Sequence, residues 1–452
     1  MLALLAVTLP HLEQGDFRTD TGRYAAIGLQ AWREPSFFWT LHLQPSVPYF
    51  NKPPLVFWIH GFVLHVAGVS LSATRLPSVA AAVLCVLLTG LITRRLMGRA
   101  TALASGCVLA LTYEFFRRTR EVSLDLWQLV FMLACVLMVV EGTRRRHAAW
   151  FFISAGIPLG LALLCKPFMA LLALPLLAAW LIVTGRAVRS LALLGTLAMA
   201  VAVAAPWHIA MILRHGTAFT APYFGNEIAA RALGRSHTAP PWYYLGELAL
   251  TYWPWLLAVG AGLAMVVTRP ASRHHRNGLA LAGLWTIGWF IALSAFPDKR
   301  PRYELPLYPM LALLAGYGIV RLPWRRLRLW YRRGLAATGV VVLTLGLLLA
   351  VLPLRVQAPP DSDWSALIGW LRAQGIEHVY SAALTTNDEG CYYLETGRWP
   401  TPFRSHLRDL PAGSVLLYRS GLTRLPSSDE IVRFESGPYR VTGRRQTPQP
   451  TH

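Results

Sequence analysis

Apolar runs of about membrane-spanning length recur along most of the chain, separated by short Arg-rich turns. A helix that crosses a bilayer needs about 20 mostly apolar residues. Runs of that kind predict spans at 75–98, 100–116, 123–141, 148–165, 167–185, 190–212, 243–268, 278–296, 303–320 and 334–354. Met1 to Pro10 is apolar but short; it lacks the basic leader and small-residue cleavage site of a signal peptide and is predicted as a partial first helix, the first of eleven. One further apolar stretch, Pro54 to Ser70, is just long enough to cross. Counting it would invert every later loop, so it is predicted to lie on, or dip into, the outer surface. The first outer loop then runs from about His11 to Ala73, far longer than the two to eight residues that join packed helices. Long loops on a rigid scaffold carry function.

The pattern changes near Val356. Pro359 and Pro360 mark a linker, and Trp364, Leu367, Ile368 and Leu371 fall on one helical face. Short alternating runs, His378 to Ser381 and Ser414 to Tyr418, then read as strands. The predicted organisation is an all-α polytopic membrane domain at 1–354 followed by a small α/β domain at 355–452 on the outer side. Removal of this tail is expected to spare donor chemistry.

Composition agrees with the pattern. Of 452 residues, 54% are hydrophobic and 14% charged, against roughly a quarter charged in soluble domains. The net charge of +21 would suit nucleic acid if the basic residues clustered on one surface, but they punctuate apolar runs instead. With a cytoplasmic N-terminus, the inner turns hold Arg94, Arg95, Arg99, Arg144 to Arg146, Arg186, Arg189, Arg269, Arg273, Arg276 and the group from Arg321 to Arg333, against a single acid, Glu141. That is the positive-inside bias, and it removes the support for a nucleic-acid partner. Of five Cys, four lie in apolar runs and Cys391 stands apart, so no disulfide framework is implied.

The chain uses 40 Arg and only 3 Lys: Lys52 in NKPPL, Lys166 in CKPF and Lys299 in FPDKRPRY. All three lie near Pro at predicted outer helix ends. An ammonium and a guanidinium differ in size, hydration and hydrogen-bond geometry, so these positions are read as chemical rather than topological. Lys166 and Lys299, with Arg117, Arg118, Arg120, Arg300 and Arg302, form a positive outer rim suited to a phosphate-bearing lipid. Two acids face that rim. Asp20, in FRTDTGRYAAIG, shares a helical face with Tyr24, and Asp125 opens an otherwise apolar span, where a carboxylate is costly and points to function. Simpler readings are an N-cap for Asp20 and a partner of Arg117 or Arg120 for Asp125. His60 and His65, five residues apart, fit interfacial packing better than a metal pair.

The ordered motifs DTGRYAAIG, NKPPLVFWIHG, TRLPS, SLD, GLALLCKPFMALLALP, PPWYYLGEL with WPW, and FPDKRPRYELPLYP together resemble the GT-C-fold glycosyltransferases of the aminoarabinose (lipid A) transferase and protein O-mannosyltransferase superfamily, over roughly residues 1–320. The resemblance implies inverting transfer of a sugar from a polyprenyl-phosphate carrier to a lipid, glycan or protein acceptor, at the outer face of a bacterial inner membrane. It implies an acid role for Asp20, with Arg23 and Tyr24 as its Arg-Tyr pair. Asp125 matches the acid that opens the fourth helix and is expected, with Asp20, to be catalytic; Lys52 and Lys166 match motif lysines, Arg231, in YFGNEIAARALGR, matches a basic residue facing the donor phosphate, and Arg117, Lys299 and Arg302 complete the proposed phosphate rim. The chain departs from the pattern at Thr21, Asn51 and Pro167. In the large loop, where some members hold a divalent metal with Glu and His, it carries Asn226 and Glu227, which puts a metal there in doubt without excluding it; no other cofactor is implied. A lipid-sugar flippase would instead place its charges near the bilayer midplane, and a non-catalytic glycolipid-binding member would show no transfer.

Overall fold

The computed structural model describes residues 4–5, 8–14, 17, 20–145, 148–167, 169–229, 238–268, 272–322, 362–403, 409–411, 413–420 and 430–444. The predicted span at 334–354 and Arg231 lie outside the described residues.

In chain order the main elements are α1 (Asp20–Arg33), the hairpin strands β1 (His42–Gln44) and β2 (Val47–Pro48), α2 (Leu55–Ala67), α3 (Leu71–Met97), α4 (Arg99–Ala110), α5 (Leu124–Gly142), α6 (Ala148–Ser154), α7 (Gly156–Leu163), α8 (Ala173–Val183) and α9 (Leu193–His215). They continue with α10 (Tyr243–Thr251), α11 (Trp253–Thr268), α12 (Arg273–Ala295), α13 (Tyr308–Arg321), α14 (Ser362–Ala373), β3 (Val379–Ala382), α15 (Thr386–Thr396), β4 (Thr401–Pro402), β5 (Val415–Arg419), β6 (Glu430–Ser436) and β7 (Tyr439–Arg444).

Among the described residues four helical segments are long and apolar enough to cross a membrane: Leu71–Met97, Leu124–Gly142, Ala187–His215 and His275–Ala295. Other predicted spans appear as shorter or broken helices. Residues 148–165 divide at Ala155 into α6 and α7, and the run at 100–116 ends as α4 at Ala110. The run at 243–268 is not a straight helix; α10 and α11 meet at an angle of 101°. Pro254, in the first turn of α11, has no N–H to give to a preceding carbonyl, and its ring would collide with the turn before it. The corner residue Tyr252 is fully buried. The 54–70 stretch forms α2, a helix of 13 residues, about 20 Å long at the helical rise against a hydrocarbon thickness of about 30 Å.

The chain divides into two compact units. The first comprises 1–12, 49–59 and 75–353, and the second 13–48, 60–74 and 354–452. In the first, α13 is buried from Tyr308 to Gly318 and packs against α4, α11 and α12, so it is a core helix of the bundle. α9 packs on α6 and α7 while Leu194, Val201, Ile209 and Leu213 stay exposed, an apolar outer face that suits hydrocarbon rather than water. At the Arg-rich turns Arg95 pairs with Glu141, and Arg189 donates to the carbonyl of Thr143 at 2.6 Å.

The second unit is not the tail alone; it draws in α1 and the β1–β2 hairpin from the first loop. Its five-stranded sheet has the order β4-β3-β5-β7-β6, parallel across β4, β3 and β5 and antiparallel across β5, β7 and β6. The core beneath it contains Trp364, Leu367, Ile368 and Leu371 of α14, as the periodicity predicts, together with Val379, Val415, Leu417 and Val441 of the strands. Phe17, from the first loop, packs against the same core. The predicted strands at 378–381 and 414–418 are β3 and β5, displaced by one residue.

Candidate functional site

In the first unit the candidate residues meet at the N-terminal end of α5. Ser123 caps that helix by accepting from the amide of Leu126 at 3.2 Å, which sets Asp125 in its first turn. The Asp125 carboxylate pairs with the ammonium of Lys166 at 2.7 Å, with the two side chains 15% and 7% exposed. One turn on, the Gln128 side chain donates to the backbone carbonyl of Lys166 at 2.9 Å. α5 therefore holds Lys166 by both its side chain and its backbone. The Tyr303 ring lies 4.2 Å from the Lys166 ammonium, a cation–π distance. Arg302 and Arg118 are within electrostatic reach of the Asp125 carboxylate.

Lys52 is 5% exposed and followed by the buried Pro53 and Pro54. The amide of Leu55 donates to the carbonyl of Leu164 at 3.2 Å, which stitches NKPPL to the segment ending in CKPF. Phe50, two residues before Lys52, packs on His215 and Phe219 at ring distances of 4.9 and 5.7 Å. Phe219 stacks on Tyr223 in the π-helical turn at Ala221–Ala229, and the Tyr223 hydroxyl is hydrogen-bonded to His208 at 2.9 Å. π-turns recur at functional sites. The sequence motifs do not signal these aromatic supports.

Three members of the predicted cationic rim have other tasks in the structure. The Lys299 ammonium donates to the carbonyls of Leu293, Ser294 and Phe296 at 3.0, 3.0 and 2.6 Å, capping the C-terminus of α12, where a cation meets the negative end of the helix dipole. All three of its protons are used, and burial pushes its pKa down. Arg117 donates twice to Glu114, at 2.8 and 2.9 Å, and Arg118 shares the same carboxylate and also pairs with Glu121 at 3.0 Å. Two carboxylates thus balance two of the three guanidiniums at 117–120. The pairing of Asp125 with Arg117 or Arg120 that chain proximity suggests is not what the structure shows: its partner is Lys166. Tyr244 is buried and hydrogen-bonds the backbone of Arg300, whereas Trp242 is 66% exposed.

In the second unit α1 carries Asp20, Arg23 and Tyr24. Arg23 Nη2 donates to the Asp20 carboxylate at 2.5 Å, and its Nη1 donates to the Thr386 hydroxyl at 3.3 Å. The guanidinium lies 5.0 Å from the centre of the Tyr24 ring. Asp20 and Tyr24 share a face as their spacing predicts, and the i,i+3 ion pair between Asp20 and Arg23 is local. Thr386 is invisible to sequence reasoning because nothing in the tail signals contact with residues more than 350 positions earlier. His60 is fully buried and donates from Nδ1 to the Thr74 carbonyl at 2.9 Å; burial pushes its pKa down to about 4, so it stays neutral.

The described residues contain no group of three His, Cys, Asp or Glu side chains arranged to hold a metal.

Comparison with known proteins places this geometry in context. The family model described as dolichyl-phosphate-mannose-protein mannosyltransferase matches residues 51–209. The undecaprenyl phosphate-alpha-4-amino-4-deoxy-L-arabinose arabinosyl transferase 2 of Pseudomonas fluorescens is 32% identical over 76% of this chain and 62% of its own length, and a relative from Pseudomonas paraeruginosa is 30% identical over the same shares. The chain thus spans about three-fifths of the length of the curated relatives it matches. Among solved structures, ArnT from Cupriavidus metallidurans bound to undecaprenyl phosphate aligns with a TM-score of 0.75 at 17% identity, covering 98% of this chain and 96% of that one. The oligosaccharyltransferase AglB from Archaeoglobus fulgidus aligns with a TM-score of 0.53 at 14% identity, over 92% of this chain and 69% of its own. The fold is that of these GT-C proteins, and the chain is a multi-pass membrane protein.

Proposed function

The chain belongs to the GT-C superfamily that unites the aminoarabinose transferases with the protein mannosyltransferases, and from that premise we propose that it is an inverting glycosyltransferase using a polyprenyl-phosphate sugar. The observation that carries this reading is the buried Lys166–Asp125 pair, covered by Tyr303 and stitched through Leu55 and Leu164 to the Lys52 loop. The SLD, CKPF and FPDKRPRY motifs meet at the Lys166 ammonium, a cation that suits a phosphate gaining negative charge as it leaves.

In the reaction an acceptor oxygen attacks the anomeric carbon. The bond from that carbon to the phosphate oxygen breaks with its electron pair going to the polyprenyl phosphate, and the configuration inverts in one displacement. Lys52, Lys166 and Arg302 stabilise the departing phosphate, and Asp125 positions Lys166. Asp20 takes the acceptor proton where the acceptor is a hydroxyl, and Arg23 orients Asp20. Where the acceptor is already an ionised phosphate, Asp20 orients the sugar instead. Arg231 is a further donor-facing cation in this reading, and Lys299 supports the turn that carries Arg302 and Tyr303. The active site faces the periplasm of a bacterial inner membrane, the N-terminus is cytoplasmic, and the C-terminal domain lies on the outer side. The acceptor is a lipid such as lipid A, another glycolipid, a glycan or a protein.

The test is transfer by purified protein from a panel of radiolabelled polyprenyl-phosphate sugars to a total membrane extract, with Asp20→Asn alongside. Label in an acceptor with wild type alone supports the reading; donors that bind without being consumed by wild type overturn it in favour of a binding protein.

A further inference from the structure

α1 is gripped from two sides by backbone contact. On one side a β-carbon on Gly61 of α2 would overlap the carbonyl oxygen of Gly28. On the other, a β-carbon on Gly390 of α15 would lie 2.7 Å from Cα and 2.9 Å from N of Arg23. Both neighbours are main chain, so no rotamer change could relieve a larger side chain. Next to this crossing the buried Cys391 thiol donates to the carbonyl of Phe17 at 3.2 Å, and a β-carbon on Gly22 would meet that sulfur. Thr386, at the start of α15, receives the Arg23 guanidinium. Its own position is fixed by a capping box: Thr385 and Asp388 exchange side-chain-to-amide hydrogen bonds of 3.2 and 3.0 Å.

We propose that the C-terminal domain is a working part of the transfer machinery: α15 sets the placement of α1 through the Gly390 contact, and Thr386 is a positioning residue for the Arg23–Asp20 pair. This rests on the reading of Asp20 as the acceptor-side acid, and it reverses the sequence-based expectation that the tail is dispensable for donor chemistry. The contacts are to the backbone and guanidinium of the motif helix itself, so loss of α15 frees the angle at which Asp20 is presented.

The experiment measures sugar transfer together with labelling of Cys391 by a membrane-impermeant maleimide, in a Cys107→Ser background because Cys107 is exposed. Gly390→Leu is expected to expose Cys391 to label and to lower transfer at least a hundredfold. Gly369→Leu, the same change at a position of α14 with open space around it, is expected to do neither. Thr386→Val is expected to leave Cys391 protected and to lower kcat about tenfold with the donor KM unchanged, the scale of one hydrogen bond to a charged group; Thr386→Ser restores the rate. Wild-type transfer by Gly390→Leu with Cys391 labelled, or by Thr386→Val, overturns the proposal. Absence of transfer by the wild type overturns the enzymatic reading instead, and protection of Cys391 in Gly390→Leu overturns the backbone clamp whatever the activity.

Discussion

The two regions that carry the candidate chemistry are built by different means. Lys166 and Asp125 form a charge pair between the end of one apolar helix and the start of another, buried and covered by an aromatic ring. Asp20 and Arg23 lie three residues apart on a single helix, and what fixes them is the close approach of neighbouring backbones at Gly28 and Gly390. In the first region electrostatics selects the geometry, because a buried charge without its partner costs several kcal/mol. In the second, steric exclusion selects it, because only glycine admits the neighbouring main chain. A charged substitution should therefore damage the first region most, and a bulky one the second.

The largest effect is expected at Asp20. Asp20→Asn should lower transfer by about a hundredfold or more, the scale of a lost general base, while the protein inserts normally; wild-type turnover would remove Asp20 from the chemistry. Next is Lys166→Ala, which should cost about 3–5 kcal/mol by stranding Asp125. The double variant Lys166→Ala with Asp125→Ala sharpens the comparison: thermal unfolding should recover much of that loss, while donor use stays absent. Recovery of both would make the pair purely structural. Lys299→Met should lower stability by about 2 kcal/mol through loss of charge-assisted bonds to three carbonyls, with the donor KM nearly unchanged. A large rise in donor KM at full stability would return Lys299 to the phosphate rim.

The smallest effect tests the water-facing domain by pH. Burial raises the Glu389 pKa, outweighing hydrogen bonds from Gln44 and Ser381 that lower it. A carboxyl raised in the folded state stabilises the fold below its ordinary range and loses that contribution as pH rises through the folded value. Glu389→Gln, neutral throughout, should thus be slightly more stable at pH 7, and the two melting curves should converge as pH falls below 4. Arg144→Ala, at a predicted inner turn where the side chain donates to the Arg95 carbonyl at 3.0 Å, should leave transfer unchanged.

By itself the sequence determined the features that depend on periodicity and local spacing. The apolar runs and Arg-rich turns make a polytopic membrane protein, because hydrocarbon tolerates only helices whose backbone is satisfied internally. The i,i+3 and i,i+4 spacings put Asp20, Arg23 and Tyr24 together, and the scarcity of Lys drew attention to Lys52, Lys166 and Lys299. The tertiary structure decided everything that depends on which distant segment arrives beside these residues. It gave Asp125 to Lys166 rather than to the nearer arginines, and it turned Lys299 inward onto carbonyls of its own helix end. It bent 243–268 at Tyr252 and joined the first-loop helix to the tail in one compact unit. Partner choice of this kind is set by steric fit and by desolvation of charges. Neither leaves a periodic trace along the chain.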